Sequence, residues 1–248
     1  VQPFRPLLRK SSPDLLPVAA AAAALAVLAA IAIIFMHTPI ERSMGIVQKI
    51  FYFHVPGAIS AYMGFGLCCI ASVAYLITGR PQADALARAG AEVGVLFCAF
   101  VLVSGPLWAR KAWGTFWTGE PRLMLTLVLF LIFCAYILVS SLGGRSEMTR
   151  KICAVLAILG VVDIPLVRVS VSRWRGNHPQ VVTGDGGGLA PSMQAAFTAG
   201  FVAVALLFVA LVWLRYRVAL GEEDVERLHR VVTDRRHRLD DLTRAAST

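Results

Sequence analysis

The chain has 248 residues, 57% of them hydrophobic and only 16% charged, with a formal net charge of +9. That excludes an ordinary soluble domain, in which about a quarter of residues are charged. The basic balance needs no nucleic acid to explain it, because membrane proteins keep Lys and Arg in their cytoplasmic segments.

Six apolar runs, each about the 20 residues that cross a bilayer as a helix, follow one another at 17–36, 50–77, 89–108, 123–142, 152–169 and 193–214. None alternates with the period of two expected of barrel strands. The expected fold class is all-α: an integral membrane bundle of six transmembrane helices over residues 1–215, with a basic amphipathic cytoplasmic tail at 216–248. The first run follows Arg5, Arg9 and Lys10. Its apolar core exceeds the usual 7–15 residues of a signal peptide, so it is read as a retained helix. The second opens in F-Y-F-H-V-P-G, where Pro56 suits a first helical turn and sets His54 at the membrane rim. The third has Glu92 near its start and leads into an aromatic loop at 107–122. In that loop Trp108, Arg110 and Lys111 precede W-G-T-F-W-T-G-E-P-R, Trp113 to Arg122.

Pro121 is expected to start the fourth helix. Arg122 then falls in its first turn, and Glu120 lies just before it, where a negative charge favours the helix dipole. In the fifth run Asp163 is an intramembrane acid, costly and functional by default, and is expected to form a structural ion pair with Arg168 or Arg122. Pro165 interrupts the exit of this run. A long loop follows, with His178 in R-W-R-G-N-H-P-Q and a G-D-G-G-G hinge at 184–188. Beyond the sixth run, Val225, Leu228, Val232, Leu239 and Leu242 recur at helical spacing, interrupted by Arg235. Such a helix suits the anionic inner leaflet or a partner helix.

With six spans, the N-terminus, the loops near 78–88 and 143–151 and the tail share one side and carry sixteen of the 24 Lys and Arg. Both termini are therefore expected in the cytoplasm and the aromatic loop outside. The five cysteines all lie within apolar runs, with no C-x-x-C, no C-x-x-C-H and no metal spacing. No phosphate-binding G-x-x-x-x-G-K-[ST] occurs, so any ATP-driven step belongs to a partner.

The external side gathers His54 and His178 on separate segments, Trp113, Phe116 and Trp117 between them, and Lys49, Arg110, Lys111 and Arg122 nearby. Neutral imidazoles are axial donors for haem iron, rings wall a flat apolar ligand, and guanidinium forks match carboxylates. A belt of interfacial Trp is the competing reading.

Three blocks resemble a known family, the haem-handling proteins of cytochrome c maturation that share a tryptophan-rich W-W-D domain, and the CcmC type above all. I-F-Y-F-H-V-P from Ile50 is similar to the family's first histidine motif. The stretch from Gly105 through W-G-T-F-W-T-G-E-P-R-L is similar to W-G-T-W-W-x-W-D-x-R-L. The stretch from Gly160 to His178 is similar to the segment leading to the second histidine. The resemblance implies that His54 and His178 are axial ligands of a transiently bound haem b. It makes Trp113, Phe116, Trp117 and Glu120 part of the haem-binding loop, and Arg122 and Lys49 propionate contacts. It implies a non-enzymatic protein of the bacterial inner membrane that binds haem at the periplasmic face and hands it to a haem chaperone, CcmE. Its other partners would be an ABC-type complex of CcmA and CcmB, the small protein CcmD and membrane lipid. The competing functions are a cytochrome c synthetase subunit of the same superfamily and a solute permease. The chain departs from the pattern at Phe116 and Gly119, where the family has Trp, and at Glu120, where it has Asp. It departs again at Arg175, where an aromatic is usual, and at N-H-P-Q for L-H-Q.

Overall fold

The computed structural model describes residues 14–174, 178 and 189–246. Arg5, Arg9, Lys10, Arg175 and the 184–188 hinge of the sequence reading lie outside these. Among the described residues there is no strand, and six helices are long and apolar enough to cross a membrane, in agreement with the expected all-helical class. They are α1 (Leu16–Ala32, continued by a π turn Ile33–His37), α2 (Phe51–Thr78, after a 3-10 turn Ile46–Ile50), α3 (Pro81–Trp113), α4 (Pro121–Leu142), α5 (Glu147–Arg173) and α6 (Pro191–Ala246).

Proline marks the first turns of α1, α3 and α4 and opens α6, because its fixed φ suits a first turn that needs no N–H. Pro121 does start α4, as expected. Pro81 starts α3 well before the anticipated run, so the connection to α2 shrinks to Gly79, left-handed at φ 64°, and Arg80. Residues taken for loop there, Asp84 and Arg88 among them, are buried and helical. At its other end α3 carries Trp108, Arg110, Lys111 and Trp113 to its last turn, leaving a loop of only 114–120. α5 starts earlier than expected because the Ser146 hydroxyl caps it, accepting from the Thr149 N–H at 3.1 Å. It then runs straight through Pro165.

Lipid tails are as apolar as the core, so the bundle is held by close packing rather than by transfer from water. α2 packs on α3, α5 and α6; α1 lies against α6. A Cβ on Gly64 would come within 2.7 Å of the Gly94 Cα, and one on Gly90 within 2.8 Å of the Gly64 carbonyl oxygen. These small residues, including the Gly90-x-x-x-Gly94 pair, bring the backbones of α2 and α3 together. Phe65 of α2 stacks on Phe133 of α4 at 3.9 Å between centroids. Pro56 lies inside α2 and leaves the Tyr52 carbonyl without its helical N–H. Gly200 of α6 packs on that oxygen, leaving no room for a Cβ.

At the end of the bundle carrying the α2–α3 and α4–α5 turns, here the base, arginines and carboxylates interlock. Arg88 bonds Glu222 and Glu223 at 2.9 Å each, and Asp84 at 3.3 Å. Arg150 bonds Glu223 at 2.6 Å and Asp84 at 3.3 Å, and Arg145 bonds Glu222 at 2.6 Å. Arg215 bridges Glu92 and Glu222. Removing one member of so buried a set strands its partners, at roughly 3–5 kcal/mol.

The ion pair expected at Asp163 is corrected by the structure. Asp163 is buried, takes part in none of the ion pairs among the described residues, and its Oδ2 has no hydrogen-bond partner there. Arg168 lies five residues on, about 140° around the helix, and both Arg168 and Arg122 line the cleft at the opposite end, the rim.

Candidate functional site

The rim ends of α2 to α6 enclose a cleft of about 830 Å³, within the roughly 300–1,000 Å³ of cofactor pockets. His54 and Tyr62 of α2, Trp108 and Trp113 of α3, Arg122 of α4, Arg168 of α5 and Phe197 of α6 line it. Phe116, Trp117 and His178 close it from the connecting segments.

His54 sits in the first turn of α2. Its Nδ1 lies 2.9 Å from the Ser104 Oγ, and that hydroxyl spends its only proton on the Phe100 carbonyl at 2.8 Å. The Ser104 oxygen is therefore an acceptor, Nδ1 carries the imidazole proton, and Nε2 keeps a free lone pair. Metal-binding histidines are oriented in this way, the second ring nitrogen donating to a fixed acceptor. Gly105 makes room for the ring: a Cβ there would stand 3.2 Å from the His54 Cε1.

His178 faces the same cleft, and its ring centroid is 6.3 Å from that of Trp113. Burial first, then the positive field of Arg122, then His54, holds its pKa down to about 3. The imidazole is therefore neutral and able to donate a lone pair. Its buried Nδ1 has no hydrogen-bond partner among the described residues and lies 3.9 Å from the Glu120 Oε1. With a neutral ring this contact is not an ion pair; it sets the carboxylate beside one ring nitrogen.

Trp113 packs edge-on against Trp108 at 5.6 Å. Gly114 ends α3 in the left-handed region at φ 77°. Arg110 donates to the Gly114 carbonyl and lies over the exposed Phe116 ring, 5.7 Å from its centroid. Gly119, where the resembling family has Trp, is also left-handed at φ 70°, a conformation that costs a bulky residue roughly 1–2 kcal/mol.

Of the residues singled out in the sequence, His54, His178, Trp113, Phe116, Trp117 and Arg122 thus meet at one cleft. Lys49 and Glu120 are not among its walls. Lys49 is buried instead at the end of α1, where its Nζ donates to the Phe35 carbonyl at 3.1 Å and lies 5.3 Å from that ring. It caps α1, a cation at a helix C-terminus. Glu120 is the N-cap of α4 and stands behind His178. Sequence reasoning missed Ser104 and Gly105, whose small side chains inside an apolar run were the available signal, and gave Arg168 a different role.

The chain matches the family described as CcmC, heme exporter protein C, over residues 6–231. The heme exporter protein C of Bradyrhizobium diazoefficiens is 30% identical over 190 residues, covering 76% of this chain and 71% of that protein. The heme exporter protein C of Haemophilus influenzae is 29% identical over 191 residues, covering 76% and 78%. A putative cytochrome c biosynthesis ccmC-like mitochondrial protein of Marchantia polymorpha is 31% identical over 142 residues, covering 56% and 59%.

Proposed function

The chain belongs to the heme exporter protein C family, and from that premise we propose that it binds haem at the outer face of the bacterial inner membrane and delivers it to a periplasmic chaperone of the CcmE type. The observation that carries this reading is the pair of histidines on one cleft. His54 has its proton committed to Ser104, and His178 is held neutral by burial. Both then offer nitrogen lone pairs to the iron of the cargo, on segments far apart in sequence. The other wall chemistry fits the same cargo: Trp113 and Trp117 supply flat apolar faces, and Arg122 and Arg168 supply cations for two propionates.

In this reading Lys49 is not a propionate contact, and Arg168 takes that place. Glu120 positions His178 through its Nδ1 rather than touching the cargo. The aromatic platform is short, since Gly119 brings no ring, and Phe116 stands exposed beneath Arg110, where a chaperone can reach it. The chain acts as a binding and delivery component; CcmA, CcmB and CcmD are its proposed partners, and ATP hydrolysis belongs to the ABC-type pair.

Delivery is tested in cells lacking the chromosomal copy by haem staining of the periplasmic chaperone. The intact chain restores haem on the chaperone; His54→Ala and His178→Ala, present at normal levels in the membrane, do not. Normal haem loading by both variants would overturn the proposal.

A further inference from the structure

Beyond the base, α6 continues from Glu223 to Ala246 as one helix, about 35 Å at 1.5 Å per residue. Val225, Leu228, Val232, Leu239 and Leu242 on this arm are all exposed, between 43% and 67%. With Arg235 they step through the sequence by three and four in strict alternation, the a and d positions of a heptad over three repeats. Nothing among the described residues covers this seam.

Its charges disfavour a second copy. Arg235 occupies a d position, Arg236 the adjacent e and Arg238 the adjacent g, whereas Glu226 and Asp234 lie at b and c, away from the seam. Two parallel copies would set Arg235 against itself in the seam, and antiparallel copies overlapping the whole seam would bury each Arg235 against Val232 with no acid beside it. Like charges at these positions disfavour pairing.

A membrane surface fits no better. Between Gly221 and Ala246 there is no further Gly or Pro to bend the helix. Glu222 and Glu223, immediately after Gly221, are held to α3, α5 and the α4–α5 turn by Arg88, Arg150 and Arg145. The arm cannot fold down onto a leaflet without breaking that network or the helix. The family match stops at residue 231, so the second half of the seam is not inherited from that likeness.

We propose that residues 225–242 are one half of a heterotypic coiled coil, whose other half is an amphipathic helix with acidic side chains flanking its apolar seam and facing Arg235. The base network makes the arm a rigid extension of the bundle, so the partner is held at a fixed distance from the membrane.

The test titrates a labelled 28-residue peptide into the full-length protein in detergent, following fluorescence anisotropy. The peptide carries Leu and Val at a and d, and Glu at e, g and opposite Arg235. Binding at least tenfold tighter than to a scrambled peptide of the same composition is expected. It falls at least tenfold in Leu239→Asp, and an Arg236→Glu/Arg238→Glu variant prefers the Lys version of the peptide. Three results would overturn the proposal: equal affinity for the scrambled peptide, a disulfide between copies of Val232→Cys in lipid nanodiscs, or protection of the arm from protease only when the discs contain anionic lipid. Haem binding is unchanged in all these variants, so failure here is separable from failure of the haem reading.

Discussion

Replacing Ser104 with Ala deletes a single buried oxygen, the acceptor 2.9 Å from the His54 Nδ1. The His54 N–H, part-buried between α2 and α3, then has no partner and the ring no longer has a fixed tautomer. An unsatisfied buried donor costs roughly 1–3 kcal/mol. Loss of an outer partner of a metal-ligating histidine typically costs about 10–100-fold in affinity, which is about 1.4–2.7 kcal/mol at 1.36 kcal/mol per decade. The two ranges agree, so the haem dissociation rate of Ser104→Ala should rise by about 10–100-fold. It is read as transfer from detergent-solubilised, haem-loaded protein to an excess of an apoprotein scavenger. The visible spectrum keeps its shape, because His54 still ligates. Ser104→Thr retains the hydroxyl and its bond to the Phe100 carbonyl, and stays near the parent. An unchanged rate in a stably folded Ser104→Ala would refute the tautomer argument.

Lys49→Met removes the cation capping α1 and should lower thermal stability in detergent by about 1 kcal/mol while leaving haem retention intact; selective loss of haem would restore it as a propionate contact. Gly200→Ala drives a Cβ onto the Tyr52 carbonyl and should cost about 1–3 kcal/mol, seen as a lower unfolding midpoint and poor recovery; wild-type stability would contradict the described α2–α6 approach. His178 gives the haem-free protein an acid-side sensitivity. Its folded pKa is depressed to about 3, below the ordinary value of about 6.5, so the unfolded chain takes up a proton that the folded chain refuses. Its share of stability is complete above pH 6.5 and is lost as pH falls towards 3, about 2 kcal/mol between pH 6.5 and 5. His178→Gln should flatten that slope in unfolding midpoints measured across this window, and an identical slope would exclude His178 as its source.

The six spans were legible because each apolar run exceeds what any soluble helix needs. Their ends were not. Charged residues near the runs at Asp84, Arg88 and Arg150 read as loop, whereas pairing with one another and with Glu223 lets them be buried at the ends of longer helices. Pro121 was read correctly as a helix start; Pro81 carried the same signal and was passed over because the window around it is polar. The histidines, the tryptophans and Arg122 were visible as residue types on one side of the membrane, and the cleft brings them together. Ser104 lies 50 positions from His54, and no local pattern announces such a pair. Lys49 is a related case: it lies close in sequence to the first histidine, but the carbonyl it bonds belongs to the end of α1, fourteen residues back.

The visible spectrum of the purified full-length protein, oxidised and reduced, tests the central claim most directly. Two neutral imidazoles on one cleft predict a six-coordinate, low-spin haem, and His54→Ala and His178→Ala each convert it to a five-coordinate form or lose the pigment. A folded wild-type protein that stays colourless after incubation with haem, or a spectrum unchanged in both variants, would contradict the assignment.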